Sequence, residues 1–413
     1  MYDLAIIGAG AAGLEAAKTA LENGLKTVIV EKDYKSWGGI CLNKGCIPFK
    51  FSLHLAQKTK DFSYISQEKD YVVEKIKKTS WESFRKKGLE IRWGEAVFVD
   101  EKTIDVEGSK IQAKYVIIAC GSYPRKIDIK GENIFFAEEA FSSLQKDDVN
   151  ILIIGGGSIG LELASFLNCL NKKVTVIEKE DSILPFLDKD ISQRLKVILT
   201  RGGIRIDVSA KMENYDLSSF DKIFICVGRM PATQGLNLEG VGIELAFSRI
   251  KINSYLQTNI GNIYACGDVC AKKLYAYLAQ YQAQLAVKNI LGAKLKPDYR
   301  GIPEAVFSLP QVAWVGLKEE EAKEKEIKYE KIISHFSPFS SSYVYQDNEG
   351  FIKVLIDKKD RIIGASIISC NASELISIFS LAIKEEIKRK NIGDLVLIHP
   401  TISETIPSLL KVF

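Results

Sequence analysis

Two segments of the chain share one pattern of apolar and polar positions. Each begins with a short apolar strand, passes through a glycine-rich turn into a helix with apolar residues at 3.6-residue spacing, and reaches a second apolar strand that ends near a glutamate. They are residues 3–32, DLAIIGAGAAGLEAAKTALENGLKTVIVEK, and residues 149–179, VNILIIGGGSIGLELASFLNCLNKKVTVIEK. The pattern predicts two βαβ units of the dinucleotide-binding type.

The turn of each unit carries the spacing G-x-G-x-x-G, and an acid stands at the end of the second strand. These residues are Gly8, Gly10, Gly13 and Glu31 in the first segment and Gly155, Gly157, Gly160 and Glu178 in the second. The three glycines allow a tight turn, close approach of a pyrophosphate, and close packing of helix on strand, while the acid accepts hydrogen bonds from ribose hydroxyls. Because a carboxylate repels a 2′-phosphate, Glu178 favours NAD over NADP.

The pattern in the rest of the chain predicts one further strand that ends in Gly-Asp and, after it, a separate domain. Residues 262–268, NIYACGD, read as a strand followed by a helix over about 274–291. After residue 298, strands and helices alternate. The predicted strands are 304–307, 350–356 and 362–368, and the predicted helices are 319–325 and 373–390. This alternation is typical of an α+β domain.

Composition is that of a globular protein. The chain has 413 residues, of which 46% are hydrophobic and 26% charged, which excludes a disordered or fibrous chain. The charge excess, 56 − 52 = 4, is spread along the sequence, so we expect neither nucleic acid nor a membrane as partner. The first residues show no secretory signal pattern, and no uninterrupted apolar run is long enough to span a bilayer. We therefore expect a cytoplasmic protein whose eight cysteines are mostly reduced.

Cys41 and Cys46 are five residues apart where a helix should begin. On an ideal helix this spacing separates the Cα atoms by about 8–9 Å, and a disulfide tolerates about 6.8 Å at most. A bridge therefore requires a distorted turn, for which Gly45 and Pro48 are suitable. Zinc would need further ligands that the sequence does not offer at suitable spacing, so we expect no metal. Two unrelated buried thiols remain the alternative.

Of the three histidines, His399 stands in the sequence HPTISE, five residues before Glu404. That spacing lets a carboxylate orient the imidazole and stabilise its charged form, which suits a general base for a thiol. His54 lies in a helical apolar pattern typical of a structural residue, and His335 carries no signal.

Taken together, the motifs resemble those of the pyridine nucleotide-disulphide oxidoreductases. Five occur in the family's order: GAGAAG, GGICLNKGCIPFK, GGGSIG with its acid, YACGDV and HPTISE. Two shorter segments, IIACGSYPR and ICVGRMPAT, are similar to the family's linking segments beside the cofactors. Within the family the sequence is most similar to the dihydrolipoamide dehydrogenases. The mercuric reductases differ because they carry a further cysteine pair near the C-terminus.

The resemblance implies an α/β fold with two Rossmann-like domains, for FAD and NAD, and a C-terminal α+β dimerisation domain. We expect residues 1–147 and 254–297 to bind FAD, residues 148–253 to form a shortened NAD domain, and residues 298–413 to form the interface of a homodimer. The implied activity is oxidation of dihydrolipoamide to lipoamide with NAD. The lipoyl group would arrive on another chain, the lipoyl domain of a 2-oxoacid dehydrogenase or glycine cleavage complex.

The resemblance also assigns roles to single residues. Cys41 corresponds to the cysteine that exchanges with substrate, Cys46 to the sulfur beside the flavin, and His399 with Glu404 to the base, which acts on the other subunit. Further family positions are Lys50, Gly121, Gly267 and Asp268 around FAD and Glu162 and Gly228 around NAD, with Glu162 also the carboxylate partner of Lys50.

Four positions depart from the family pattern. Phe49 stands where serine is usual and Leu397 where these dehydrogenases usually have a second histidine, while near the flavin Tyr277 stands where a histidine is common and Ala283 where a glycine is. The changes at Phe49 and Leu397, which belong to the family's thiol channel, favour, as an alternative, an NADH-dependent reductase of another small disulfide. A cofactor-bound subunit of a multienzyme complex with reduced catalysis is a third reading, against which the intact cysteines and base argue.

Overall fold

A computed structural model describes residues 1–411. Contacts within it divide the chain into two compact units. The first unit comprises Met1–Ser52, Ser63–Ile127 and Gly228–Asp298, and the second comprises Leu53–Phe62, Asp128–Val227 and the chain from Tyr299 on.

The structure contains 21 strands within residues 1–411, none longer than ten residues. They are β1 Tyr2–Ile7, β2 Thr27–Glu31, β3 Glu90–Trp93, β4 Ala96–Phe98, β5 Thr103–Val106, β6 Ser109–Ile118, β7 Ser122–Pro124, β8 Ile134–Phe136, β9 Asn150–Ile154, β10 Lys173–Ile177, β11 Arg205–Asp207, β12 Lys222–Ile225, β13 Arg229–Pro231, β14 Leu245–Ala246, β15 Arg249–Ile250, β16 Ile263–Ala265, β17 Glu304–Val306, β18 Gln311–Gly316, β19 Tyr329–His335, β20 Phe351–Asp357 and β21 Ile362–Ser369.

The helices range from one turn to seven. They are α1 Ala11–Glu22, α2 Gly39–Asn43, α3 Cys46–Ala56, α4 Phe62–Lys86, α5 Ala140–Ser143, α6 Ser158–Cys169, α7 Lys189–Arg201, α8 Ala276–Ile290, α9 Glu319–Glu324, α10 Ser340–Val344, α11 Ala372–Lys384, α12 Arg389–Gly393 and α13 Thr405–Leu410. Within residues 1–411, none of them combines the length and the apolar character needed to cross a membrane.

The first unit is built on a seven-stranded sheet. Strands β3, β2, β1, β6 and β16 pair in parallel, and β6 also pairs with β5 in an antiparallel meander that ends at β4. Helix α1 presents small buried residues, among them Ala12, Ala16 and Ala20, and packs closely against α8. The first predicted βαβ unit is therefore present as β1, α1 and β2, with its glycine turn at the carboxyl end of β1.

The second unit contains two sheets. The first is parallel, in the order β11, β10, β9, β12 and β8, and it carries the second predicted βαβ unit as β9, α6 and β10. Between β11 and β12 the chain forms two 3₁₀ turns, Met212–Asn214 and Leu217–Ser219.

The other sheet of the second unit is antiparallel, in the order β17, β18, β21, β20 and β19. Helix α11 packs its apolar face on β18 and β21, and Phe336, Ile376 and Phe379 are buried in the resulting core. Here the predicted α+β pattern is confirmed, together with the mixed α/β class of the whole chain.

One predicted helix is interrupted. The sequence predicts a continuous helix over 373–390, but α11 ends at Lys384 and α12 begins at Arg389. Glu386 adopts φ +52°, and the amide of Ile387 donates to the carbonyl of Ala382. This closure turns the chain back toward β21, where an isolated bridge joins Arg361 to Lys388.

Candidate active site

The first glycine turn is closed by backbone packing. Gly8 has φ +100°, and a Cβ there would lie 2.6 Å from the carbonyl oxygen of Ala119. A Cβ on Gly13 would lie 1.8 Å from the carbonyl oxygen of Gly8, so only glycine lets α1 start this close to β1. Glu31 Oε2 accepts a hydrogen bond of 2.6 Å from the amide of Ala9, and burial raises the pKa of the Glu31 carboxyl.

The second turn repeats this construction. Gly155 has φ +114°, and a Cβ on Gly160 would lie 2.0 Å from the carbonyl oxygen of Gly155. Glu178 is buried and accepts hydrogen bonds from the amides of Gly156, at 2.7 Å, and Glu180, at 2.9 Å. The acid predicted to select the nucleotide is therefore fixed against its own glycine turn.

The middle glycine of each turn leaves space. A Cβ on Gly157 would meet nothing within 4 Å, and one on Gly10 would meet only Gly39 Cα, at 3.7 Å. Both stand immediately before a helix N-terminus, where backbone N–H groups and the helix dipole favour an anion. These turns fit the pyrophosphates of two dinucleotides, as the sequence predicts.

The two cysteines lie on either side of a break between helices. Helix α2 carries Cys41 and ends at Asn43, Lys44 adopts φ −143°, and α3 begins at Cys46. A Cβ on Gly45 would lie 3.0 Å from the carbonyl oxygen of Ile40 and 3.3 Å from Cys41 Cα. We call residues 41–46 the cysteine elbow. The break is the distorted turn that a five-residue spacing requires.

The cysteine elbow brings the two sulfur atoms into hydrogen-bonding contact. Both are free thiols in the structure, with Cys41 half-buried and Cys46 exposed. A hydrogen bond from Cys46 lowers the pKa of the Cys41 thiol, and the same bond, together with burial of the sulfur, raises the pKa of Cys46. Within the reduced pair, a proton is therefore lost more readily from Cys41 than from Cys46. Lys50, predicted as a catalytic residue, lies on α3 one turn after Cys46.

Asp268 stands in a hydrogen-bonded network. Ser122 Oγ donates to Asp268 Oδ2 at 2.6 Å, and Arg229 donates to Ser122 Oγ from Nε, at 2.9 Å, and to the Ser122 carbonyl from Nη2, at 2.8 Å. Burial raises the pKa of Asp268. Ser122 and Arg229 were not predicted as site residues, although they stand one residue after Gly121 and Gly228 in the two linking segments.

Three further glycines that the sequence assigns to the cofactors, Gly121, Gly228 and Gly267, lie in the first unit. Gly121 and Gly267 both have φ +77°, and Gly228 has φ +102°. The amide of Gly267 donates to Gln282 Oε1 at 2.9 Å. The side chain of Gln282, which lies on α8, therefore holds the turn that follows β16. Gln282 was also missed by the sequence reasoning, because nothing in its local pattern distinguishes it from a surface glutamine.

Glu162 lies on α6, in the second unit. Its Oε1 accepts a hydrogen bond of 2.9 Å from the amide of Phe307, and Ser165, one turn later, accepts from the amide of Leu309. The helix of the second glycine turn is thereby joined to the segment around β17.

His399 and Glu404 are brought together as predicted. His399 Nδ1 lies 2.8 Å from Glu404 Oε2, and the imidazole is 70% exposed. Both residues line a cavity of about 460 Å³ together with Phe339, Leu397 and Pro407 among others. The carboxylate fixes the ring through Nδ1, an arrangement that suits an imidazole for general-base work through its other nitrogen.

Two domain families match the chain. Residues 2–289 match the pyridine nucleotide-disulphide oxidoreductase domain, and residues 302–410 match the dimerisation domain of the same name. These two matches together cover nearly the whole described sequence.

Curated and solved relatives agree with this assignment. The dihydrolipoyl dehydrogenase of Buchnera aphidicola from Schizaphis graminum is 33% identical over 100% of this chain and 95% of its own. That of Chlamydia pneumoniae is 31% identical over 98% and 95%. Among solved structures, the HOCl-induced flavoprotein disulfide reductase RclA of Escherichia coli matches with a TM-score of 0.92 at 27% identity, over 99% of both chains.

Proposed function

The chain belongs to the pyridine nucleotide-disulphide oxidoreductase family, and on that premise we propose that it oxidises dihydrolipoamide to lipoamide with NAD. The observation that carries the proposal is the cysteine elbow, in which one thiol is activated by a hydrogen bond from the other. Identity of 31–33% to dihydrolipoyl dehydrogenases over nearly the full length supports this substrate.

The family uses FAD and NAD(P), and the two glycine turns suit them. We assign FAD to the turn at Gly10 and NAD to the turn at Gly157, with Glu178 placed to accept from a free 2′-hydroxyl. FAD, when bound, supplies two-electron chemistry between a dithiol and nicotinamide. The protein contributes the position of both nucleotides and of the thiols.

The thiol exchange involves three sulfur atoms at a time. Starting from the oxidised pair, a thiolate of dihydrolipoamide attacks Cys41 Sγ, and the Cys41–Cys46 bond breaks with Cys46 leaving as the thiolate. The second substrate thiol loses its proton and attacks the substrate sulfur bound to Cys41. The lipoamide ring closes, Cys41 is released, and the enzyme holds two electrons as its dithiol. A depressed pKa at Cys41 makes it a good leaving group in this last step.

His399 is the proposed base for these proton transfers. Glu404 accepts from Nδ1, so the lone pair of Nε2 is available to a substrate thiol in the cavity. We propose a homodimer in which this base serves the cysteine pair of the other subunit, consistent with the match to a dimerisation domain. The lipoyl group would be carried to the cavity on a lipoyl domain of another chain.

An anaerobic titration tests the proposal. Purified protein is titrated with dihydrolipoamide while its visible flavin spectrum is followed, and NAD is then added. We expect a long-wavelength charge-transfer band that NAD discharges with formation of NADH. A flavin that NADH reduces but dihydrolipoamide leaves unchanged would exclude the lipoamide assignment.

The second candidate is an NADH-dependent reductase of a different small disulfide. Leu397 lines the His399 cavity in place of a polar residue, and Tyr277, on α8, stacks on Tyr275 with ring centroids 5.4 Å apart. The structural similarity to RclA is the further support. Turnover of a panel of disulfides with NADH distinguishes the candidates, because this one requires a kcat/KM for another disulfide far above that for lipoamide.

A further inference from the structure

Asn43 lies inside the cysteine elbow, at the last position of α2. Its Nδ2 donates two hydrogen bonds, one to the carbonyl of Trp37 at 3.0 Å and one to the carbonyl of Gly39 at 2.8 Å. Since both partners are acceptors, the orientation of the amide is determined. The reversed amide would direct its oxygen at two carbonyl oxygens.

The two carbonyls belong to the backbone that lies on the first glycine turn. The amide of Gly38 donates to the carbonyl of Ala9 at 2.9 Å, and a Cβ on Gly39 would lie 2.7 Å from Gly10 Cα. Asn43 therefore joins the end of the cysteine-bearing helix to the segment in direct contact with the proposed FAD turn.

The amide oxygen of Asn43 offsets part of the stability that its two donor bonds contribute. Its Oδ1 is buried and finds no hydrogen-bond partner within residues 1–411. An unmet buried acceptor costs about as much as two neutral hydrogen bonds contribute. Local stability alone does not account for an asparagine with this geometry, whereas fixing the position of the cysteine elbow does.

We propose that Asn43 is a positioning residue, whose two amide hydrogens fix the cysteine elbow against the first glycine turn and so set the distance from Cys46 to the dinucleotide bound there. The inference rests on the proposed redox role of the cysteine pair. It assigns to Asn43 an effect on electron transfer between thiols and flavin, and none on whether the protein folds or retains FAD.

The test compares four proteins with FAD bound: the natural chain, Asn43→Ala, the isosteric Asn43→Asp, and Asn23→Ala. Asn23 is exposed, and its Nδ2 donates to the carbonyl of Thr19, four residues earlier, at 2.8 Å, so it serves as the matched control outside the cysteine elbow. Each protein is reduced anaerobically with NADH, because reduction from the nucleotide side does not depend on which thiol is the substrate. FAD content, melting temperature, the charge-transfer band and the rate of its appearance are recorded.

We expect all four proteins to fold and to hold equal FAD, with Asn43→Asp melting at a lower temperature because its carboxylate is directed at two carbonyl oxygens. Asn43→Ala and Asn43→Asp should show a weaker band that forms about tenfold to a hundredfold more slowly, the loss expected for a displacement of about 1 Å. A natural band and rate in Asn43→Asp, which keeps the volume but loses both donors, would overturn the inference. No band in the natural chain would instead overturn the redox role of the cysteines, whereas a band with NADH but not with dihydrolipoamide would overturn only the lipoamide assignment.

Discussion

At the scale of single residues, one hydrogen bond divides the roles of two identical side chains. Cys41 and Cys46 are both thiols, yet the pKa of the first is lowered and that of the second raised, because Cys46 donates and Cys41 accepts. Burial raises the pKa of both thiols, so it cannot by itself lower that of Cys41. The hydrogen bond between the two sulfur atoms is the largest influence on each and separates their pKa values.

The first prediction concerns the pH dependence of Cys41 reactivity. In the reduced protein, the rate of Cys41 alkylation by iodoacetamide should rise with pH through a midpoint below the ordinary thiol value of 9.0, because the thiolate is the nucleophile. Cys46→Ala removes the hydrogen-bond donor and should move this midpoint upward. Mass spectrometry of the Cys41 peptide measures the rate at each pH.

Cys169→Ala is the control for that experiment, since Cys169 lies in the second unit and takes no part in the pair. It should leave the Cys41 profile unchanged. An identical midpoint in the natural chain and in Cys46→Ala would show that the hydrogen bond does not set the pKa of Cys41.

At the scale of elements, each nucleotide turn separates a packing glycine from a binding glycine. Gly160 packs against the carbonyl of Gly155, whereas Gly157 leaves open space above the start of α6. In the sequence, both glycines belong to one motif. In the structure, Gly160 is needed for packing of the helix on the turn, and Gly157 is needed for space above the helix N-terminus.

The second prediction uses that difference. Gly160→Ala forces a Cβ to within 2.0 Å of a backbone oxygen and should destabilise the protein by about 1–3 kcal/mol or more while weakening NADH binding. Gly157→Ala should leave stability unchanged and weaken NADH binding by occupying the pyrophosphate space. Denaturant unfolding and NADH titration measure the two effects. Equal destabilisation by both changes would contradict this division of roles.

Another element-scale feature is a buried ion cluster in the second unit. Lys353 on β20 is 1% exposed and donates to Asp188 at 2.7 Å, Asp190 at 2.6 Å and Glu319 at 3.0 Å. Burial favours the neutral carboxyl of Glu319, but the hydrogen bond and charge of Lys353 outweigh it and lower the pKa. The three carboxylates are held by this ammonium, and Lys331 adds an exposed ion pair to Glu319.

The third prediction is that Lys353→Met destabilises the protein by about 3–5 kcal/mol, because it leaves the buried carboxylate of Asp188 without a counter-charge. Lys331→Met, the exposed control, should cost about 0–1 kcal/mol. Since the pKa of Glu319 is depressed, its contribution is present above the ordinary value of 4.5 and is lost as pH falls through the folded pKa. The difference between the natural chain and Lys353→Met, measured by urea unfolding, should therefore shrink toward acid pH. A difference independent of pH would contradict the pairing.

At the scale of the whole molecule, the segment before His399 exposes apolar side chains. Val396 is 96% exposed and Ile398 77%, next to the cavity that holds the proposed base. These residues fall within the part of the chain that matches a dimerisation domain. A homodimer that buries them would also exclude water from the imidazole.

The fourth prediction follows from this surface. Replacing Val396 and Ile398 together by aspartate should weaken dimerisation by about 100-fold or more, because the interface would bury unpaired carboxylates. Turnover should fall with the dimer fraction while bound FAD is retained. Phe247→Asp is the control, since Phe247 is 95% exposed in the first unit, on the short turn between β14 and β15. Sedimentation and activity over a range of protein concentrations measure both effects, and an active monomer would contradict the shared site.

The sequence by itself determined the features that depend on local spacing. The glycine turns and their acids, the neighbouring cysteines, and the pair of His399 and Glu404 are all readable because the interacting residues lie within one motif or one βαβ unit. Family resemblance extended this to the two cofactors and the order of the domains. Helix and strand periodicity likewise predicted most of the β-α alternation, and failed where a backbone turn at Glu386 interrupts an apolar helical pattern.

Only the tertiary structure decided the contacts between residues distant in the chain. Ser122 reaches Asp268 across 146 positions and Lys353 reaches Asp188 across 165, and no local pattern names such partners. The close approach of Gly39 to Gly10, 29 positions away, is likewise absent from any local pattern. Spacing predicts which residues could meet, whereas ionisation, orientation and distance depend on burial and hydrogen bonding, which exist only once the chain has packed.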